Sequence, residues 1–178
     1  MLLQYFGLTL KEVEKKDLEL IRTWRNDPKI SQFMVFRENI SPDMQREWFK
    51  KIQGAEYLYF LILHKLKPIG LTELKDINFV DRIAQGGIFI YDNEYLNSLA
   101  PFVAVFLRNN YAFQSLGLDE LYCYVLETNK RAIRFNKFLG YEPVSEILAD
   151  GRRRYSLQRD TFERRAEQLR VYFDSMFR

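Results

Sequence analysis

The segment ETNKRAIRFNKFLGY, residues 127–141, carries the clearest structural pattern in this 178-residue chain. A strand is predicted just before it, over residues 121–126, and a helix over residues 129–139. Thr128 or Asn129 can cap that helix, because their short polar side chains accept hydrogen bonds from the first free backbone N–H groups. Gly140 ends the helix, since glycine readily adopts the left-handed backbone found after many helices. The segment therefore predicts a strand followed directly by a helix.

Three strands and a long helix are predicted upstream of this segment. The strands cover residues 57–63, 69–74 and 83–91, and the helix covers residues 98–115. Pro101 is compatible with that helix only within its first turn. Gly86 and Gly87 lie inside the third strand, where glycine commonly marks a bulge or the close approach of a ligand.

The remaining elements lie at the two ends of the chain. An alternating apolar start at residues 8–13 is followed by a helix over residues 18–25, with Asp17 as its cap. Ser41 and Pro42 begin a further helix, whose buried face is expected to carry Met44, Trp48 and Ile52. Two short strands, at 144–148 and 153–157, are predicted around a turn at Asp150–Gly151. A terminal helix follows, with one apolar stripe formed by Phe162, Ala166, Leu169, Phe173 and Met176.

This order of elements predicts an α/β protein with a mixed sheet. We expect residues 1–178 to form a single domain, with residues 159–178 as a C-terminal helical extension. The aromatic residues of that extension are expected to cover the domain or to pair with a second copy in a homodimer.

Composition excludes several classes of site. The lone Cys123 cannot form an internal disulfide or a cysteine-based zinc site, and a single histidine, His64, excludes a centre built from several imidazoles. We therefore expect no metal. His64 itself is expected to be solvated at a hairpin tip, and Cys123 to be a small core residue.

Charge and hydropathy are compatible with an anionic ligand and favour a location in the reduced cytoplasm. The net charge of +3 suits an anionic ligand but is too small to indicate nucleic-acid binding. The seven-residue apolar run at 57–63 is far shorter than the roughly 18 residues that cross a bilayer. No targeting segment is expected, and neither nucleic acid nor membrane is an expected partner.

Two segments resemble the GNAT superfamily of acyl-CoA-dependent N-acetyltransferases. Residues 127–141 resemble a strand-to-helix segment of that family, and residues 69–79 with Arg82 and residues 88–90 resemble its central hairpin. The resemblance implies a GNAT fold with a mixed, mostly antiparallel sheet flanked by helices, and acetyl-CoA as the acyl donor. In this family two neighbouring strands part, and the pantetheine arm lies between them; here they would separate around Phe89 and Tyr124.

The resemblance also implies which residues bind acetyl-CoA. They lie on the third strand, in the loop before the long helix and on the helix after residue 128: Ile88, Phe89, Ile90, Tyr91, Asn97, Ser98, Leu99, Ala100, Asn129, Ala132, Phe135 and Asn136. Backbone donors near residues 88–90 would stabilise the developing oxyanion.

The acceptor side resembles one group within the family, the N-acetyltransferases of UDP-linked 4-amino sugars in the pseudaminic acid pathway. The resemblance covers residues 21–30, 33–34, 40–41 and 48–49, and it implies Trp24, Arg25, Asn26 and Glu73 as substrate-binding residues. Trp24 and Trp48 would form walls for a sugar or base, and Arg22, Arg25 or Arg37 would pair with a phosphate. A plain alternative is that Trp24 and Trp48 anchor the core and that the arginines are solvated.

Three positions depart from the family pattern. The loop at 95–101 lacks the glycines that usually approach the pyrophosphate, Asn136 replaces a tyrosine proposed as proton donor, and Gln85 lies near the usual acidic residue. Glu73 is then the candidate catalytic base, unless it is a surface carboxylate paired with Lys75 or Arg82. Tyr91, Tyr124, Tyr141 or solvent would supply the proton instead of Asn136.

We therefore predict transfer of acetyl from acetyl-CoA to a primary amine by direct attack, with a nucleotide-linked amino sugar as the preferred acceptor. The alternatives are a protein N-terminus, a polyamine or another small amine. A degenerate domain that only binds a ligand or a protein is the alternative from a different class.

Overall fold

The computed structural model describes residues 1–144 and 146–176, and its strands form one eight-stranded sheet. The spatial order of the strands is β1-β2-β3-β4-β5-β6-β8-β7. Within the described residues β5 and β6 are the one parallel pair, and all other neighbours are antiparallel. The strands are β1 Leu2–Tyr5, β2 Leu8–Glu12, β3 Leu58–His64, β4 Lys67–Asn78, β5 Ile83–Ile90, β6 Glu120–Leu126, β7 Glu142–Pro143 and β8 Arg152–Gln158.

Six α-helices accompany the sheet in the described part of the chain. They are α1 Leu18–Asn26, α2 Pro28–Ser31, α3 Pro42–Lys51, α4 Ala100–Gln114, α5 Lys130–Phe138 and α6 Arg159–Met176. Two predicted caps are confirmed: the Ser41 side chain accepts from the Met44 N–H, and the Asn129 side chain accepts from the Ala132 N–H. None of these helices is long and apolar enough to cross a membrane.

The predicted mixed α/β architecture is confirmed, with corrections at its two ends. Residues 2–5 form an additional strand, which turns through Phe6 and Gly7 to pair with β2. The strand expected at 144–148 is replaced by the short β7, and Ser145 lies outside the described residues. Because β1 and β7 are short and are held by backbone hydrogen bonds, the alternation of their side chains gives little indication of either strand in the sequence.

Two helices bury a different stripe from the predicted one. On α3, Gln45 is 2% exposed whereas Met44 is 43% exposed. The buried positions 45, 48 and 52 are separated by three and then four residues, which matches the helical period of 3.6 residues. Positions 44, 48 and 52 are separated by four residues each time, so they move gradually around the helix. On α6, Met176 is exposed, while Phe162, Ala166, Leu169 and Phe173 are buried as predicted.

The sheet separates two apolar clusters. On one side, Phe106 of α4 contacts Phe162 and Phe173 of α6, with ring centroids 5.7 Å apart in both pairs. On the other side, Ile21 and Trp24 of α1 pack against Leu61 and Leu71. The C-terminal helix thus covers the core of its own chain, and α1 lies over the sheet face that carries the candidate site.

Candidate active site

The parallel strands β5 and β6 part after a short contact. They pair only over residues 83–85 of β5 and 120–122 of β6. Beyond this point β5 stays paired with β4 as far as Ile90, and β6 stays paired with β8 as far as Leu126. A slot therefore opens between residues 86–90 and residues 123–126, which confirms the predicted separation around Phe89 and Tyr124.

Backbone groups of β5 line one wall of this slot. The Tyr91 N–H donates to the Ile69 carbonyl at 2.8 Å, so the N–H of Tyr91 points toward β4. Because successive residues of a strand direct their backbone groups to opposite edges, the N–H and C=O groups of Ile88 and Ile90 point toward the slot. Ile88 and Ile90 thus present backbone groups to the slot that are not used in pairing with β4.

Phe89 and Tyr91 have a different role from Ile88 and Ile90. Their side chains point toward α1: the Tyr91 ring stacks on Trp24 at 5.2 Å, and the Phe89 ring meets Trp24 edge-on at 6.2 Å. Trp24 is 4% exposed. Trp24 therefore packs as a core residue, as one of the two interpretations expected, and it contacts the rings of Phe89 and Tyr91.

The two glycines of β5 make room for charged side chains on opposite faces of the strand. A Cβ atom on Gly86 would lie 2.8 Å from Nη2 of Arg108, and a Cβ atom on Gly87 would overlap the Glu73 carboxylate. From the sequence, the glycine pair was expected to mark either a bulge or the close approach of a ligand. In the structure, the two glycines allow the Arg108 guanidinium and the Glu73 carboxylate to lie on opposite faces of β5, beside the slot.

Glu73 occupies the α1 side of β4, opposite Gly87. Burial raises the pKa of its carboxyl, and the positive charges of Lys75, Arg108 and Arg25 oppose that rise. Tyr59 lies beside Glu73 on β3, and the pKa of Tyr59 is raised first by burial and then by the Glu73 charge. In the described part of the chain Glu73 forms no ion pair, and Arg82 pairs instead with Asp119 at 3.1 Å. Pairing of Glu73 with Lys75 or Arg82 is thus not seen.

The other residues predicted to bind the acceptor divide into two groups. Arg25 is close enough to Glu73 to lower the pKa of that carboxyl. Asn26 instead uses both ends of its side-chain amide on Ile40, accepting from the Ile40 N–H at 2.8 Å and donating to its carbonyl at 3.0 Å. Asn26 therefore holds the segment between α2 and α3 against α1.

Two further aromatic side chains and a lysine border Glu73 and the Trp24 stack. The Trp48 ring meets the Tyr59 ring edge-on at 5.0 Å, and Lys29 Nζ lies 3.5 Å from the centre of the Tyr91 ring. Lys29 and Tyr59 were missed as candidates. Lys29 lies within the segment 21–30, where nothing local distinguishes it from an exposed lysine, and Tyr59 belongs to the apolar run of a strand. Only the packing of α2 and β3 beside α1 brings them to this place.

The loop before α4 offers fewer helix-terminal donors than a glycine-rich loop would. Ser98 Oγ accepts from the Ala100 N–H at 3.1 Å and donates to the Tyr95 carbonyl at 2.9 Å. Pro101 has no N–H. In addition, Arg131 of α5 donates to the Leu96 carbonyl, which ties this loop to the helix across the slot. Arg131 was missed by the sequence analysis, although it stands in the basic run that follows the Asn129 cap.

Asn136 and Cys123 meet at the other wall of the slot. Asn136 donates to the Ala132 carbonyl at 2.8 Å, and the Cys123 thiol donates to Asn136 Oδ1 at 3.5 Å. Burial raises the pKa of Cys123 to about 12, in keeping with its predicted role as a core residue. Phe135 packs on Phe102 with the ring centroids 4.6 Å apart, so it positions α5 on α4.

Two ionisable residues have partners that the sequence did not indicate. His64 Nδ1 lies 3.0 Å from the Tyr95 hydroxyl, so His64 is bound to the loop before α4, whereas a solvated residue was expected. Tyr141 is fully buried, and burial raises its pKa to about 12. Its hydroxyl accepts from Arg108 at 3.2 Å and donates to Asn109 at 3.3 Å.

A family model described as an acetyltransferase (GNAT) domain matches residues 7–142. The chain belongs to the GNAT family. This GNAT protein is an acetyltransferase that uses acetyl-CoA as its acyl donor. No group of three or more His, Cys, Asp or Glu among residues 1–144 and 146–176 could hold a metal ion.

Acetyltransferases with two different names are among the relatives of this GNAT protein. Acetyltransferase PseH from Campylobacter jejuni is 28% identical over 138 residues, covering 74% of this chain and 82% of that protein. Spermidine N(1)-acetyltransferase from Vibrio cholerae is 27% identical over 151 residues, covering 82% of this chain and 87% of that protein. The crystal structure of the Vibrio cholerae spermidine N-acetyltransferase with CoA and spermine superposes with a TM-score of 0.81 at 22% identity, covering 88% of this chain and 98% of that chain. The last comparison supports the GNAT fold.

Proposed function

We propose that this GNAT enzyme acetylates the primary amine of a nucleotide-linked amino sugar by direct attack on acetyl-CoA. One observation carries the proposal: the slot between β5 and β6 passes beside a partly buried carboxylate, Glu73, that packs on Gly87. A thioester arm in the slot and a proton acceptor at its side are the two requirements of direct acetyl transfer to an amine.

The open edge of β5 fits the acyl donor. Backbone N–H and C=O groups that are left without a strand partner need hydrogen bonds, and the amides of a pantetheine arm can supply them. Acetyl-CoA provides the acetyl group as a thioester: the amine nitrogen forms a bond to the carbonyl carbon, the C–S bond breaks, and CoA leaves as its thiolate. The N–H groups of Ile88 and Ile90 face the same slot and can donate to the carbonyl oxygen as negative charge develops there.

Glu73 would accept the proton of the attacking amine, directly or through one water. A carboxyl in partial burial is a better proton acceptor near neutral pH than an exposed one, because its pKa is raised. Arg25, at the edge of the same site, keeps this carboxyl available in its charged form. Neighbouring Tyr59 lies beside the carboxylate and lines the approach from α3.

The charges around Glu73 favour an anionic acceptor. Arg25 and Lys75 lie near the carboxylate, and Lys29 lies against Tyr91 in the adjoining aromatic stack. A diphosphate would be attracted by these cations, whereas a polyamine would be repelled. The resemblance of residues 21–30 to UDP-amino-sugar acetyltransferases and the similarity to PseH point the same way. Spermidine is the second candidate, because two spermidine acetyltransferases are similar over most of the chain.

The test has two stages. Calorimetric titration with acetyl-CoA is expected to show one site per chain, and absence of binding at millimolar donor would favour a binding-only domain. A free-thiol release assay would then compare a UDP-4-amino sugar, spermidine and an N-terminal peptide. We expect kcat/KM to be highest for the UDP-4-amino sugar by at least about 100-fold, since two phosphate charges contribute to its binding. Higher kcat/KM for spermidine or for the peptide would overturn the acceptor assignment.

Arg131 is expected to secure acetyl-CoA binding. Arg131→Ala should raise the Kd for acetyl-CoA about tenfold, because one charge-assisted contact that holds the loop before α4 is lost. The value of kcat at saturating acetyl-CoA should stay near that of the wild type. Arg134→Ala, one turn further along α5, is the matched control. An equal loss of acetyl-CoA affinity in both variants would mean that the lower positive charge of α5, and not the contact with the loop, causes the effect.

A further inference from the structure

Arg108 is a buried cation that the proposed reaction does not yet use. Its side chain projects from α4 and is 2% exposed. The guanidinium donates to Thr72 Oγ1 at 3.2 Å, to the Gly87 carbonyl at 2.9 Å, to Asn109 Oδ1 at 2.8 Å and to the Tyr141 hydroxyl at 3.2 Å. Each of these acceptors is neutral. Within the described residues no carboxylate lies within 4 Å of Arg108.

A charge buried in this way is costly for the fold. Removing a guanidinium from water costs several kcal/mol, and hydrogen bonds to neutral groups offset only part of that cost. A leucine or methionine at this position of α4 would bury apolar area without the penalty. Packing alone therefore does not explain a cation at this position, and we look for an effect of its charge.

The position of Arg108 relative to Glu73 suggests what that is. Its Nη1 donates to the carbonyl of Gly87, and Nη2 lies against Gly86 where a Cβ atom would be 2.8 Å away. On the opposite face of β5 the Glu73 carboxylate packs directly on Gly87. With no side chain on either glycine, only the backbone of one strand separates the two charges.

We propose that Arg108 is a positioning residue for Glu73, which it serves through the Gly86–Gly87 backbone. Its hydrogen bond fixes the strand on which the carboxylate packs, and its positive charge stabilises the carboxylate from the far side of the sheet. Only the catalytic consequence rests on the proposed function of Glu73 as proton acceptor; the charge coupling between the two side chains does not.

Other titratable groups also face Glu73. Tyr59 faces it from β3, Arg25 from α1 and Lys75 from its own strand. Arg25 and Lys75 are partly exposed, so water and salt weaken their effect on the carboxylate. Arg108 is enclosed by α4 and the sheet, and its charge is screened much less. Burial raises the pKa of Glu73, and removal of Arg108 would raise it further.

The test measures the titration of Glu73 itself. In protein labelled with ¹³C at glutamate carboxyls, the Glu73 signal would be assigned by its absence in Glu73→Gln and followed against pH. In Arg108→Gln we expect the midpoint to rise by about one pH unit, as is typical when a nearby opposite charge is removed. Arg108→Lys, which keeps the charge, should remain near the wild-type midpoint. Arg164→Gln, an exposed α6 substitution with the same change in net charge, should have no effect.

Gly86→Ala provides a second approach that leaves Arg108 in place. The added methyl group would displace the guanidinium from β5 and should raise the midpoint in the same direction, even if Arg108→Gln fails to fold. If Arg108→Gln folds and its Glu73 midpoint is unchanged, the inference is overturned. If only Gly86→Ala folds, an unchanged midpoint in that variant overturns it.

The pH profile of kcat/KM separates this inference from the proposed function. If Glu73 accepts the amine proton, the acid limb of the profile should move to higher pH together with the carboxyl midpoint. A midpoint that moves while the acid limb stays in place would uphold the coupling of Arg108 to Glu73 and exclude Glu73 as the base.

Discussion

Glu73→Gln is expected to lower kcat for acetyl transfer by about 10²–10³-fold, the usual range for loss of a general base. The amide is isosteric with the carboxyl but cannot accept the amine proton. Glu73 packs on Gly87 on the face opposite Arg108, away from the loop that Arg131 holds. The Kd for acetyl-CoA should therefore change by less than about twofold, which calorimetry would show.

The pH dependence gives a second readout of the same substitution. The wild-type kcat/KM should rise as Glu73 loses its proton, and the midpoint should lie above the usual glutamate pKa of 4.5, because burial raises the pKa. In Glu73→Gln this acid limb should disappear. Glu167→Gln, at an exposed position on α6, is the matched control for a lost surface carboxylate. Wild-type turnover in Glu73→Gln would exclude Glu73 as the base and leave proton removal to solvent.

Gly70→Ala is expected to have the largest effect on stability. A Cβ atom at Gly70 would overlap the carbonyl oxygen of Phe89 and lie 3.0 Å from the Cα of Ile90. Both contacts are with the backbone of β5, so β4 and β5 would have to separate. We expect the free energy of unfolding to fall by about 3 kcal/mol, at the upper end for overpacked sites. For a chain of this size that is a decrease in Tm of about 6–12 °C.

Gly87→Ala is the matched comparison in the neighbouring strand. The three atoms nearest to its Cβ atom would all belong to the carboxyl end of the Glu73 side chain, which can rotate away. The free energy of unfolding should therefore fall by less than about 1 kcal/mol, whereas kcat should drop because the carboxylate is displaced. Urea denaturation and the thiol-release assay on both variants would check this contrast. Equal destabilisation by the two substitutions would contradict it.

Sequence reasoning succeeded where the information lies within a few residues. The Asn129 side chain accepts from a backbone N–H three residues later, and Pro42 begins α3 because its missing N–H is not needed there. Periodicity placed the buried stripe of α6 correctly up to Phe173. Periodicity gave the wrong face of α3: Met44 was expected to be buried but is exposed, and Gln45 is buried. A polar residue at the buried position breaks the apolar pattern.

The sequence could propose candidate site residues only where a motif contains them, and their positions in space came from the structure. Glu73, Ile88 and Ile90 were chosen from the resemblance and lie together at the slot. Asn26 was chosen in the same way, yet its amide binds Ile40. Arg108 stands in the middle of a long apolar helix, where nothing local distinguishes a buried arginine from an exposed one.

The amino-acid sequence by itself determined the order of the helices and strands, the caps that begin α3 and α5, and membership of the GNAT family. Only the tertiary structure decided that β5 leaves β6 after residue 85, and that Gly86 and Gly87 face Arg108 and Glu73. Capping and periodicity act between neighbours in the chain. The environment of the two glycines instead depends on the register between β4 and β5 and on the packing of α4, which join residues 14 to 22 positions apart.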